Sequence, residues 1–249
     1  MPRAQTEERG FILVGAIWLL MLCGSIAAIL MLRGVNDGKA AKAQAKSMGT
    51  RFALESAIET AASDLLFNGL RSRWAQLPAE NSVSISDQQI EVRVSNEVGR
   101  LDLNAASPDK VGSALQGFGF TSAERQPLLD ELQRRHIAND RLQTWAEVPM
   151  VLAKLPADKL TTTCLIRELT LYSGLAAPRP NQVSPELGHA LGLATSAEPA
   201  VPDPGSALRF EAISQDGARL IEVLRITGTI GRPITILRRE FNPPCGSTA

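Results

Sequence analysis

Two histidines and three cysteines among 249 residues leave little material for a metal cluster or for histidine-based catalysis. His136 and His189 stand without a local partner pattern. No Gly-x-Ser-x-Gly, no phosphate-binding loop and no Cys/His set at metal-ligand spacing occurs. Charge of one sign is also missing: 26 Lys+Arg meet 26 Asp+Glu, a formal net charge of zero. Bulk electrostatics therefore recruits no nucleic acid and no anionic lipid. What is present, 44% hydrophobic and 21% charged residues, excludes a chain disordered throughout. The length allows one or two domains with a real core.

The apolar residues are unevenly spread. From Phe11 to Leu32 run 22 residues without a charge, FILVGAIWLLMLCGSIAAILML. As a helix this spans roughly 33 Å, the thickness of a hydrocarbon core. A secretory signal would have a shorter apolar stretch followed by a small-residue cleavage site. Here Arg33 follows directly, so a retained anchor is the better reading. Arg3 and Arg9 before the run are offset by Glu7 and Glu8, whereas Arg33, Lys39, Lys42 and Lys46 follow it. The positive-inside rule alone would leave the bulk of the chain in the cytoplasm.

Beyond the run, Asn36 to Trp74 contain no proline. Leu54, Ile58, Ala61 and Leu65 recur at helical spacing, which predicts a long amphipathic continuation of the anchor helix. Met48, Phe52 and Trp74 are expected to pack against a globular domain. Val83 and Ile85, then Ile90, Val92 and Val94, alternate with polar residues and read as a hairpin turning at Asp87-Gln88. From Arg100 to Ala194 the pattern is helical. Within it Asn104-Ala-Ala-Ser107-Pro108-Asp109 returns 77 residues later as Asn181-Gln-Val-Ser184-Pro185-Glu186. Ser-Pro-acid is a helix start: a cap, a preorganised first residue and an acid suited to the dipole. Ser196 to Ser206 is proline-rich and reads as a linker. Strands return at Leu208–Ala212, Arg219–Thr227 and Ile234–Phe241, the first pair joined at Asp216-Gly217. In the first of these, Leu208, Phe210 and Ala212 alternate with Arg209 and Glu211. A helical block between two β regions indicates an insertion into an α+β domain.

Arg9-Gly10-Phe11 ahead of the apolar run resembles the leader junction of type IV prepilins and type II secretion pseudopilins. Val98-Gly-Arg-Leu-Asp-Leu-Asn-Ala-Ala-Ser107, Trp145-Ala-Glu147-Val-Pro149 and Leu169-Thr-Leu-Tyr-Ser173 extend the likeness. With them the chain resembles the minor pseudopilin K family of the type II secretion system over nearly its whole length. The resemblance implies an α+β, pilin-like fold: a long N-terminal transmembrane helix packed on a small antiparallel β-sheet that carries a large inserted helical domain. It divides the chain into a cytoplasmic leader (1–10), a transmembrane helix (11–32), a periplasmic helix with the first hairpin (33–99), the insertion (100–195), a linker (196–206) and a C-terminal β-meander (207–249). It further implies cleavage by a prepilin peptidase between Gly10 and Phe11, and N-methylation of Phe11. Glycine lets the backbone approach a protease closely. Leader-directed insertion then overrides the charge bias and leaves the bulk of the chain in the periplasm, anchored by a single pass in the inner membrane.

Most pilin-like subunits keep a glutamate at the fifth residue after the cut, and here that residue is Gly15. An unpaired carboxylate in a bilayer costs several kcal/mol, so such an acid persists only where a partner exists. Its absence suits a subunit with no neighbour above it. The implied role is to form and cap the tip of a periplasmic pseudopilus. The implied partners are the other minor pseudopilins and the major pseudopilin. No enzymatic activity, cofactor or nucleic acid is expected; no metal site is singled out, and a cation held by loop carboxylates is left open.

The rival reading comes from the same segment. Leu103-Asn-Ala-Ala-Ser107 followed by Gly117-Phe-Gly119 resembles the opening of a helix-hairpin-helix module in a membrane-anchored DNA-uptake protein, where a glycine-rich hairpin holds phosphates. Leu101 to Leu175 carry 8 Lys+Arg against 9 Asp+Glu, a poor phosphate surface. Cys23 lies in the anchor. Cys164 and Cys245 would share the periplasm, where disulfides persist. Whether they pair is open on sequence alone; a bond would close a loop of about 80 residues, worth up to ~4–5 kcal/mol by chain entropy.

Overall fold

The computed structural model describes residues 6–194, 199–229 and 231–243, with side chains from Val14 onward except Leu32 and Val35. Helix α1 spans Thr6–Asn68. Its first unit extends to Thr50, and a second compact unit begins at Arg51. In the first unit, the stretch from Val14 is long and apolar enough to cross a membrane. Its large side chains, Trp18, Leu20 and Met31 among them, are exposed. The hydroxyl of Ser25 donates to the Leu22 carbonyl at 2.8 Å, so the polar interruption of the run is satisfied within its own helix.

In the second unit α1 buries one stripe: Leu54, Ala57, Ile58, Ala61, Ala62 and Leu65. Four small side chains at 53, 57, 61 and 62 bring the helix close to a five-stranded antiparallel sheet. Its strands are β1 (Ala79–Ile85), β2 (Gln88–Asn96), β5 (Ala207–Ser214), β6 (Arg219–Thr229) and β7 (Arg232–Phe241), ordered β1-β2-β5-β6-β7. Ile90, Val92 and Val94 of β2, Leu208, Phe210 and Ala212 of β5, and Leu220 and Leu224 of β6 meet the helix and form the first core. Period-two alternation met by a 3.6-residue stripe is what closes this layer.

Three expectations need correction. Trp74 is fully buried, but Met48 and Phe52 are exposed on α1. The first hairpin turns at Ser86-Asp87, one residue earlier than read, because Ile85 pairs with Gln88 and Ser86 adopts φ +53°. The proline-rich segment also does more than link: Leu77 and Ala200 exchange backbone hydrogen bonds at 2.9 Å.

Between β2 and β5 lies the helical block. Its elements are β3 (Leu101–Asp102), α2 (Pro108–Gly117), α3 (Ser122–Ala138), α4 (Glu147–Leu152), α5 (Ala157–Thr163), β4 (Leu169–Thr170) and α6 (Pro185–Leu191). Strands β3 and β4 pair in parallel. Leu101, Leu115, Leu128, Leu165, Leu169 and Leu187 make a second, separate core. The repeated Asn-x-x-Ser-Pro-acid pattern starts α2 and α6: Ser107 accepts from Lys110 N and Ser184 from Leu187 N.

The helices α2 and α6 touch through backbone. A Cβ on Gly117 would lie 2.2 Å from the Ala190 carbonyl oxygen and 2.3 Å from its Cα. Gly117→Ala is therefore expected to cost about 1–3 kcal/mol in denaturant unfolding of the detergent-solubilised protein. Gly112→Ala, where the new methyl meets only the movable end of Leu129 at 3.1 Å, should cost little or nothing.

Candidate functional site

Strand β5 carries the junction between the sheet and the helical block. Its alternate residues Arg209 and Glu211 face away from α1, yet they are 3% and 8% exposed. The guanidinium of Arg209 donates to Glu97 Oε1 at 2.7 Å, to Arg167 O at 3.0 Å and to Leu169 O at 3.3 Å. Glu97, wholly buried in the turn after β2, accepts a second bond from the Thr170 hydroxyl on β4. Arg100 Nε donates to Arg167 O at 2.9 Å and stands 3.7 Å from the Glu97 carboxylate. Burial pushes the Glu97 carboxyl upward, but Arg209, Arg100 and the hydroxyl of Thr170 outweigh it and hold the group below its ordinary 4.5. Burial together with Arg209 brings Arg100 down to about 10, which still leaves it a cation at neutral pH.

A second clasp joins the block to β7. The Arg238 guanidinium lies 3.5 Å from the centroid of the Trp145 ring, and Tyr172 OH donates to Leu237 O at 3.0 Å. On the same face Arg219 and Glu211 pair at 3.0 Å.

The segment behind the family resemblance, Val98 to Ser107, is a set of staples. Asp102 accepts from Asn104 N at 2.9 Å with one oxygen, and from Gly174 N at 2.8 Å and Ser173 Oγ at 3.2 Å with the other. The Asn104 amide exchanges two bonds with the backbone of Leu142, at 2.9 and 2.8 Å. Gly99 permits a close approach to the Gln182 carbonyl.

The glycine hairpin offers no phosphate cradle. The amides of Phe118, Gly119 and Phe120 donate to Ala114, Gln116 and Leu115, and that of Thr121 donates to Glu124. Lys159 is spent on Gly119 O at 3.1 Å and on Glu124 at 2.7 Å; its hydrogen bond holds the Glu124 carboxyl down to about 2. A helix-hairpin-helix DNA reading needs those amides and that cation free.

No protein-family model matches this chain, and no curated protein does. Among solved structures, a chain of the GspK–GspI–GspJ complex from the type 2 secretion system of enterotoxigenic Escherichia coli is similar. The likeness covers 85% of this chain and 99% of that one, with a TM-score of 0.50 and 10% identity. The fold is pseudopilin-like. At that identity the likeness carries fold alone: an α+β chain with a long apolar N-terminal helix and a small antiparallel sheet.

Within this pseudopilin-like fold the residues singled out from sequence lie far apart in role. Gly10 and Phe11 fall inside α1, where side chains are described only from Val14. Gly15 is exposed, and a Cβ there would meet nothing within 4 Å, so packing inside this chain does not require glycine. Cys164 sits at the left-handed end of α5 with φ +48°. Cys245, its expected partner, lies outside the described residues. Among the described residues no group of three or more His, Cys, Asp or Glu is placed to hold a metal.

Glu97, Arg209 and Arg238 were not picked out by motif, and Trp145 was named only within a segment of family likeness, with no partner assigned to it. Their signal was available in one form: a long apolar helical block must cover something, and α1 already covers one sheet face.

Removing one partner of the buried pair strands the other. Arg209→Met is expected to lower unfolding stability by about 3–5 kcal/mol, and the double variant Glu97→Gln/Arg209→Met to recover most of it. Glu97 titrates below 4.5 when folded, so its contribution is complete above that pH and is lost as pH falls through the lower folded value. Acid titration of unfolding should thus fall more steeply below pH 4.5 in the wild type than in the double variant.

Proposed function

We propose that this chain is a minor pseudopilin of the type II secretion system that forms and caps the tip of the periplasmic pseudopilus. The carrying observation is the combination of a pseudopilin-like fold with a helical block clamped on the sheet face opposite α1. A filament of parallel helices grows by stacking slim subunits. A block of this size on one subunit obstructs the next and suits an end position.

Processing follows the same reading. A prepilin peptidase cuts between Gly10 and Phe11, Phe11 is N-methylated, and the helix from residue 11 to 32 anchors the chain in the inner membrane with its bulk in the periplasm. Gly15 then leaves no carboxylate to be neutralised by a neighbour's terminal amine, consistent with a subunit that has none above it. The similar chain comes from a complex of three such components. The proposed partners here are likewise other minor pseudopilins, with the major pseudopilin below. The role is mechanical and needs no cofactor.

Full-length protein purified in detergent should carry the other minor pseudopilins in fixed stoichiometry, as read by native mass spectrometry. Recovery of the chain alone when all are co-expressed would reject the tip reading. Independently, the mature N-terminus should be methylated Phe11, and Gly10→Val should retain residues 1–10 by intact mass; a variant still cut before Phe11 removes the processing claim.

A further inference from the structure

A cleft of about 160 Å³ opens between the start of α2 and the last turn of α3. Three nitrogen-bearing side chains, Arg135, His136 and Arg141, line it, with Asn139 beside them and one carboxylate, Asp140. That carboxylate is already matched, since Arg135 Nη1 holds Asp140 at 3.1 Å and Arg135 Nε holds Glu131 at 2.8 Å. No hydrogen bond or ion pair engages the side chains of His136 or Arg141 among the described residues.

The local acceptors are occupied as well. The carbonyls that close α3 receive backbone donors: Asn139 N to His136 O at 3.2 Å and Asp140 N to Arg135 O at 2.9 Å. The cleft thus keeps surplus donors and an uncompensated positive charge. Pro108 at the start of α2 forms part of the wall. Asn104 and Leu142 join the walls with two hydrogen bonds, and Asn139 holds the left-handed corner at φ +52°.

Size narrows the occupant. At ~30 Å³ per water the cleft holds about five waters. That is below the several hundred Å³ of sites for drug-sized ligands, too little to enclose a nucleotide. A guanidinium, an imidazole and an amide, all able to donate, match a group that only accepts. We propose that this cleft binds one small oxyanion, a carboxylate or a phosphate, gripped by Arg141 and His136 with Arg135 held in place behind them. The site does not depend on the pseudopilin reading, because its test measures binding to this chain alone.

The test titrates full-length protein in detergent micelles at low ionic strength with two probes. One is a short Asp/Glu peptide with an amidated end; the other is inorganic phosphate. Calorimetry should show saturable binding of at least one, and Arg141→Ala/His136→Ala should weaken it tenfold or more. Lys110→Ala, on α2 but away from the cleft, should leave it unchanged. Peptide binding assigns the site to an acidic side chain of a partner protein, and phosphate binding without peptide binding assigns it to a free anion. Equal affinity in wild type and double variant, or no binding of either probe at millimolar concentration, overturns the proposal.

Discussion

Glu97 and Arg209 meet at 2.7 Å with both side chains buried, and the docking of the helical block depends on that contact. Each core could form without it. Apolar burial is non-directional, however, and two apolar surfaces can slide across one another. A guanidinium that must reach Glu97, Arg167 and Leu169 at once has one solution. Against a well-packed apolar replacement such a pair adds little net stability, because desolvation offsets most of the attraction. Its consequence lies in geometry: the turn after β2, the middle of β5 and the start of β4 are fixed to one point. The Arg238–Trp145 stack and the Tyr172–Leu237 bond then attach the far side of the block to β7.

How far the sequence discloses this arrangement depends on the range of the force involved. The α1 stripe at Leu54, Ile58, Ala61 and Leu65 was legible because its spacing is local, and all four side chains are buried. Both Ser-Pro helix starts were legible for the same reason. Arg209 and Glu211 were legible as the alternate set of their strand but not as a buried junction, since alternation reports that two faces differ and not what covers the second. Asn104 was noticed within a repeated pattern, but its partner Leu142 lies 38 residues away and no spacing rule connects them. Phe52 was read as packed and is 60% exposed, because periodicity finds a stripe without saying how wide it is.

The sheet ends in two edges, β1 and β7, and both are closed to strand addition in part. On β1 the Arg73 guanidinium donates to the Ser82 carbonyl and the Asn81 amide to Arg73 O. On β7 Pro233 lacks a donor, the ladder shifts register next to Val223, and the Leu237 carbonyl is taken by Tyr172. One sheet face belongs to α1 and the other, at Arg209 and Arg238, to the helical block. The outer side of α1 is open in this unit, where Phe52 and Phe67 are 60% and 82% exposed and lie within about 60° of each other around the helix. Fifteen residues separate them, about 22 Å along the helix axis, so they are two points on one face and not one contiguous patch. With the strand edges partly blunted and both sheet faces taken, the outer side of α1 is the face of the helix-and-sheet layer left uncovered.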